Sequence, residues 1–130
     1  MTLAQRLLAS LTAATVAAQF FLAGAGTFGA LTFDSHRRIG FALIGLAAVA
    51  LVMALAVRRL VVNAAILLVL LLVQWGLARG AIDESAWFGA VHALNALAVM
   101  AAAGILARRA WEGSPALPQT RSGGDGAAGG

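Results

Sequence analysis

Four uncharged apolar runs, Leu7 to Phe33, Ile39 to Val57, Leu60 to Ala78 and Ser85 to Ala107, alternate along the chain with short clusters of charge. They hold 27, 19, 19 and 23 residues. A helix of about 20 apolar residues covers the roughly 30 Å hydrocarbon layer of a bilayer, so each run is long enough to cross once. The pattern predicts an all-α protein, a four-helix transmembrane bundle in up-down-up-down order over residues 1–110, with helices near 5–30, 35–57, 62–79 and 84–109. From Gly113 the chain is rich in Gly, Ala, Ser and Pro without an apolar period, so residues 111–130 are expected to form a disordered cytoplasmic tail.

Arg6 ahead of the first run, with Ala23-Gly24-Ala25 as a small-residue cleavage site, also fits a secretory signal. Two features favour a retained helix. The run before that site exceeds the 7–15-residue core of a signal, and Thr12, Thr15, Gln19 and Gly26 fall close to one helical face. Asp34 or Ser35 is expected to cap the second helix, Asn63 the third, and Asp83 or Ser85 the fourth, with Gly80 ending the third in a left-handed conformation. The connection at Arg58-Arg59 is short enough to make the second and third helices antiparallel neighbours. No internal repeat is evident, although the two hairpins are similar in size.

Composition agrees with the pattern. Of 130 residues, 62% are hydrophobic and 11% charged, with mean hydropathy +0.91, more apolar surface than a water-soluble domain of this size can bury. A sequence pI near 11.7 would suggest nucleic acid in a soluble protein. Here all nine basic residues are Arg set between apolar runs, so they read as membrane anchors and topology signals, and no nucleic-acid partner is expected. Arg6, Arg58, Arg59, Arg108, Arg109 and Arg121 fall on one side and Arg37, Arg38 and Arg79 on the other, which favours both termini inside. Trp75, Trp87 and Trp111 lie near helix ends, as interfacial anchors do. The expected location is the bacterial inner (cytoplasmic) membrane, multi-pass. The expected partners are membrane lipids and either a second copy or another membrane protein. Absence of Lys and Tyr beside abundant Ala, Gly, Leu and Arg fits a high-GC bacterial genome. Without Cys, disulfides, thiolate metal sites, iron–sulfur clusters and cysteine nucleophiles are excluded.

Polar side chains within spans should face the bundle interior or a wet cavity. Gln19 and Asn95 lie near mid-depth, His92 and Gln74 roughly 6–8 Å further out, and His36 at the outer mouth of the second helix. Two readings stand for Gln19, Gln74, His92 and Asn95: they hydrogen-bond one another and hold the bundle together, or they line a small polar cavity open to the outside. Arg37 and Arg38 oppose both the helix dipole and the positive-inside tendency, and so call for anionic company. Asp34, Asp83 and Glu84 rank first for that role, lipid phosphate second and an anionic ligand third.

The chain has no serine motif, paired intramembrane carboxylates, glycine-rich phosphate loop or metal-ligand cluster, so no enzyme is expected. A transporter or channel would require oligomerisation. The leading expectation is a protein without a cofactor that binds a small apolar or lipid-like ligand in the outer-leaflet cavity, or that acts as an interaction partner. The alternative is a haem b electron carrier, with His36 and His92 as axial ligands and Arg37 or Arg38 on the propionates. On the depths above the two His differ by roughly 9–12 Å in height, which opposes that alternative. Zinc has only the two His and would need carboxylates to complete its set.

The stretches Gln19-Phe20-Phe21-Leu22-Ala23-Gly24, Phe33-Asp34-Ser35-His36-Arg37-Arg38-Ile39-Gly40 and His92-Ala93-Leu94-Asn95-Ala96-Leu97 resemble the signature segments of an uncharacterised family of small four-span membrane proteins found largely in actinobacteria. The resemblance covers residues from about 5 to 110 and implies the four-span topology without an activity. His36 followed four residues later by Gly40 is similar to a fragment of the four-helix membrane cytochromes b, a resemblance that implies haem ligation by His36.

Overall fold

A computed structural model describes residues 1–83 and 85–112, and contains four helices: α1 (Leu3–Thr27), α2 (Phe33–Val57), α3 (Val61–Asp83) and α4 (Ala86–Trp111). At 25, 25, 23 and 26 residues, and about 1.5 Å per residue, all four are long and apolar enough to cross a membrane. This is a multi-pass membrane protein. Residues 113–130 of the expected tail and the acidic groups of Asp83 and Glu84 fall outside the described residues or side chains, whereas Trp111, assigned to that tail, ends α4 and Glu112 caps it.

Local chemistry sets the helix ends, not always where the sequence places them. Thr2 starts α1 with a capping box: its hydroxyl accepts from the Gln5 backbone N–H at 3.3 Å, and its own N–H donates to Gln5 Oε1 at 2.9 Å. Gly29, at φ +74°, stops it three residues before the predicted end. Gly29 donates to the Gly26 carbonyl and Ala30 to the Ala25 carbonyl, engaging two of the last four acceptors of the helix. Neither Asp34 nor Ser35 caps α2. That helix begins earlier, after Thr32, and Asp34 sits in its first turn, ion-paired with Arg37. Asn63 does not cap α3, because the helix already runs from Val61; its side chain instead accepts from Arg109 Nη1 on α4 at 3.2 Å. Gly80 does not end α3, which continues to Asp83. Ser85 caps α4 as expected, accepting from the Trp87 N–H at 3.3 Å.

Short connections make successive helices antiparallel. Each helix packs on two neighbours, α1 on α2 and α4, and α3 on α2 and α4, leaving α1/α3 and α2/α4 as diagonals of the bundle. The end that holds the first and third connections is termed outer, after the predicted orientation. The interior is built of small and aliphatic side chains, with Ala47, Leu67, Ala64 and Ala103 at most 1% exposed, while Phe21, Val62 and Leu94 are about 70% exposed. That inversion suits a lipid solvent. At the inner end Trp111 Nε1 donates to Ser10 Oγ at 3.0 Å, and the Arg6 guanidinium lies 5.4 Å from the Trp111 ring centre.

Core side chains stop well short of the outer end. No hydrophobic residue is buried beyond Gln19 on α1, Leu71 on α3, Leu43 on α2 or Val99 on α4, among the described residues. Among the described residues the outermost two to four turns thus hold no fully buried aliphatic side chain, and two half-buried imidazoles stand there.

Candidate functional site: two facing histidines

His36 on α2 and His92 on α4 sit on diagonal helices, yet their ring centres are 6.4 Å apart, with the planes at 67°. This corrects the height difference of roughly 9–12 Å read from the sequence. That reading measured depth from the middle of each uncharged run, which for Ile39 to Val57 lies about three residues inward of the true midpoint of α2. Counted from the true helix midpoints, residue 45 in α2 and residues 98–99 in α4, the two His differ by about two to three residues, roughly 4 Å.

Each imidazole is held by a glutamine on the preceding helix, in the same way twice. Gln19 Nε2 donates to the His36 carbonyl at 3.1 Å, and His36 Nδ1 lies 3.2 Å from the Gln19 carbonyl. Gln74 Nε2 donates to the His92 carbonyl at 3.0 Å, and His92 Nδ1 lies 3.0 Å from the Gln74 carbonyl. A carbonyl oxygen only accepts, so Nδ1 carries the proton in both neutral rings and Nε2 keeps its lone pair. A main-chain carbonyl that fixes the tautomer and ring angle through Nδ1 is the usual outer support of a metal-binding imidazole.

The repetition extends through the bundle and corrects the expectation that there is no internal repeat. Ala9, Thr12, Val16 and Gln19 of α1 correspond to Ala64, Leu67, Leu71 and Gln74 of α3, each pair 55 residues apart. His36, Leu43, Ala47 and Ala54 of α2 correspond to His92, Val99, Ala103 and Ala110 of α4, each pair 56 apart. A glycine of the first helix meets a phenylalanine of the second in both hairpins: a Cβ on Gly26 would come 2.9 Å from the Phe33 ring, and one on Gly80 would come 2.8 Å from Phe88. The hairpins α1–α2 and α3–α4 are two copies of one design, and the facing His belong to equivalent positions.

The copies differ around the glutamines. Gln74 has every polar atom engaged: its second amide hydrogen points to His92 Nε2 at 3.1 Å, and its Oε1 accepts from Asn95 Nδ2 at 2.6 Å. Asn95 also donates to the Leu70 carbonyl at 3.0 Å. In the first hairpin the Asn95 position is occupied by Ile39, and Gln19 Oε1 is buried without a partner. Of the four residues assigned to one polar cavity, Gln74, His92 and Asn95 thus form one network, while Gln19 joins His36 instead.

Arg37 and Arg38 are both exposed and follow His36 by one and two residues along α2, at depths between those of the two His. Arg37 is paired with Asp34, and Arg38 has no hydrogen-bond or ion-pair partner among the described residues. Sequence reasoning missed Gln5, buried near the inner end, whose Nε2 donates to the Met53 carbonyl at 3.1 Å. Among the described residues no three His, Asp or Glu side chains gather in one place.

Two imidazoles can complete the coordination of an iron whose equatorial ligands come from a macrocycle. With a metal–nitrogen distance near 2.0–2.1 Å, and about 1.1 Å from Nε2 to the ring centre, two imidazoles on one iron have centres about 6.3 Å apart. The two rings stand 6.4 Å apart, a separation that an edge-to-face contact also gives. A scan against models of known families, a search of curated proteins and a search of solved structures each find no match to this chain.

Proposed function

We propose that this protein is a b-type haem protein of the membrane, with His36 and His92 as the two axial ligands, that passes single electrons to and from a partner. The carrying observation is the pair of equivalent imidazoles across the bundle diagonal, at the spacing a shared iron requires and each oriented through Nδ1. Two further features support it. Among the described residues the outer half of the bundle has no fully buried aliphatic side chain, and the Gln–His pairing is repeated in both hairpins. The role asked of the chain is to hold, orient and desolvate the iron, which supplies one-electron chemistry when bound; no catalytic step is assigned to a side chain.

The remaining assignments belong to the same reading. The six-to-three distribution of Arg supports both termini in the cytoplasm of a bacterial inner membrane, with the site near the outer face. Arg38, exposed and without a counter-charge among the described residues, is the better placed of the two arginines to meet an anion such as lipid phosphate or a haem propionate.

The test is haem titration of the detergent-purified protein and of His36→Ala and His92→Ala. The reading requires one haem per chain in the wild type, and loss of the six-coordinate low-spin spectrum in either variant. If both variants keep that spectrum, these two side chains are not the ligands.

A further inference from the structure

Both hairpins bring an equivalent Gln and His together at the outer end, and there they differ at the position of Asn95, which is Ile39 in the first hairpin. Resting on the haem reading, we infer that the two axial positions are unequal: the His92 side is the displaceable one, and the site takes a neutral diatomic ligand there.

The argument compares what each imidazole has at Nε2. Gln74 Nε2 reaches His92 Nε2 at 3.1 Å, and it is held for that contact by Asn95, which donates to Gln74 Oε1 at 2.6 Å. Gln19 makes the same main-chain bond to its own His but none to the ring Nε2 of His36. When His92 binds iron through Nε2, that lone pair is used, and one hydrogen of Gln74 loses its acceptor inside an apolar bundle. When His92 lets go, the lone pair returns to a donor already in place. Nothing equivalent compensates His36. A neutral hydrogen bond of ordinary net strength, about 1 kcal/mol, biases the exchange about fivefold toward release of His92.

The exchange is balanced without redox or proton transfer. The iron–Nε2 bond of His92 breaks, a bond from iron to the incoming neutral molecule forms in its place, and the freed Nε2 lone pair accepts the Gln74 N–H. His36 remains the fixed ligand throughout.

Carbon monoxide titration of the dithionite-reduced, haem-loaded protein tests the inference through the Soret shift. Wild type is expected to bind one carbon monoxide per haem. Gln74→Met, which removes the donor at similar volume, should weaken that binding about fivefold, because His92 then holds iron against no competing partner. Gln5→Met removes a buried glutamine bond at the inner end, away from both His, and should leave carbon monoxide affinity unchanged. Should Gln74→Met fail to yield folded protein, Asn95→Leu, which frees Gln74 from its hold, is expected to weaken binding about two- to threefold. Haem-loaded wild type that binds no carbon monoxide, or equal shifts for the Gln5 and Gln74 variants, overturns the inference while leaving bis-histidine ligation intact. Wild type that carries no haem overturns ligation itself, and the inference with it.

Discussion

Gly76 and Gly80 lie one turn apart on α3, both inside the helix, and the structure gives a Cβ at each opposite surroundings. At Gly76 it meets nothing within 4 Å; at Gly80 it meets Phe88 Cγ and Cδ1 at 2.8 Å. Replacing glycine by alanine inside a helix contributes about 0.5–1 kcal/mol through backbone entropy alone. Gly76→Ala should therefore stabilise the bundle by roughly that amount. Gly80→Ala has the same gain but must push Phe88 away close to its root, where the ring has little freedom. Overpacking of this kind costs about 1–3 kcal/mol, so the net change is a loss of about 1 kcal/mol. Combining Gly80→Ala with Phe88→Ala removes the clash, and the pair should be less destabilising than the sum of the single changes by about 1–2 kcal/mol. Unfolding equilibria in mixed detergent micelles with increasing dodecyl sulfate would measure all four proteins. Equal effects of Gly76→Ala and Gly80→Ala, or strict additivity with Phe88→Ala, would refute the packing described for α3 against α4.

Two further outcomes follow from the inner end and from the charge distribution. Trp111→Phe keeps an aromatic ring beneath Arg6 but removes the donor to Ser10 Oγ; because the pair is exposed, a double-mutant cycle with Ser10→Ala should give a coupling below about 1 kcal/mol in the same unfolding assay. Arg59→Cys should be protected from a membrane-impermeant thiol reagent in intact cells and labelled in inverted vesicles, and labelling from outside would reverse the orientation derived from Arg counting.

Four spans were legible because long uncharged runs leave a chain few alternatives in a bilayer, and the helix ends were less so. Asn63 and Gly80 carry the residue types of a cap and a stop, but the first bonds Arg109 and the second accommodates Phe88 across the α3–α4 contact; both are long-range demands that a local pattern does not contain. The sequence points to His36 and His92 but not to their meeting, because depth counted from the uncharged run Ile39 to Val57 misses that α2 is centred three residues further out. A faint signal of the duplication does exist: Gln19-Phe20 followed by Leu22-Ala23 returns as Gln74-Trp75 followed by Leu77-Ala78. Four matched or similar residues are too few to stand out in a chain this rich in Leu and Ala. The same core positions become unmistakable once burial identifies which residues face inward.

The reduced-minus-oxidised absorption spectrum of the wild-type protein, purified in detergent from cells supplied with a haem precursor, tests the central claim most directly. Two axial imidazoles on one iron predict a Soret band that shifts on dithionite reduction, sharp α and β bands, and one haem per chain. Spectra featureless above the protein band in both states would contradict it, and would leave the outer half of the bundle to a colourless, apolar or lipid-like ligand.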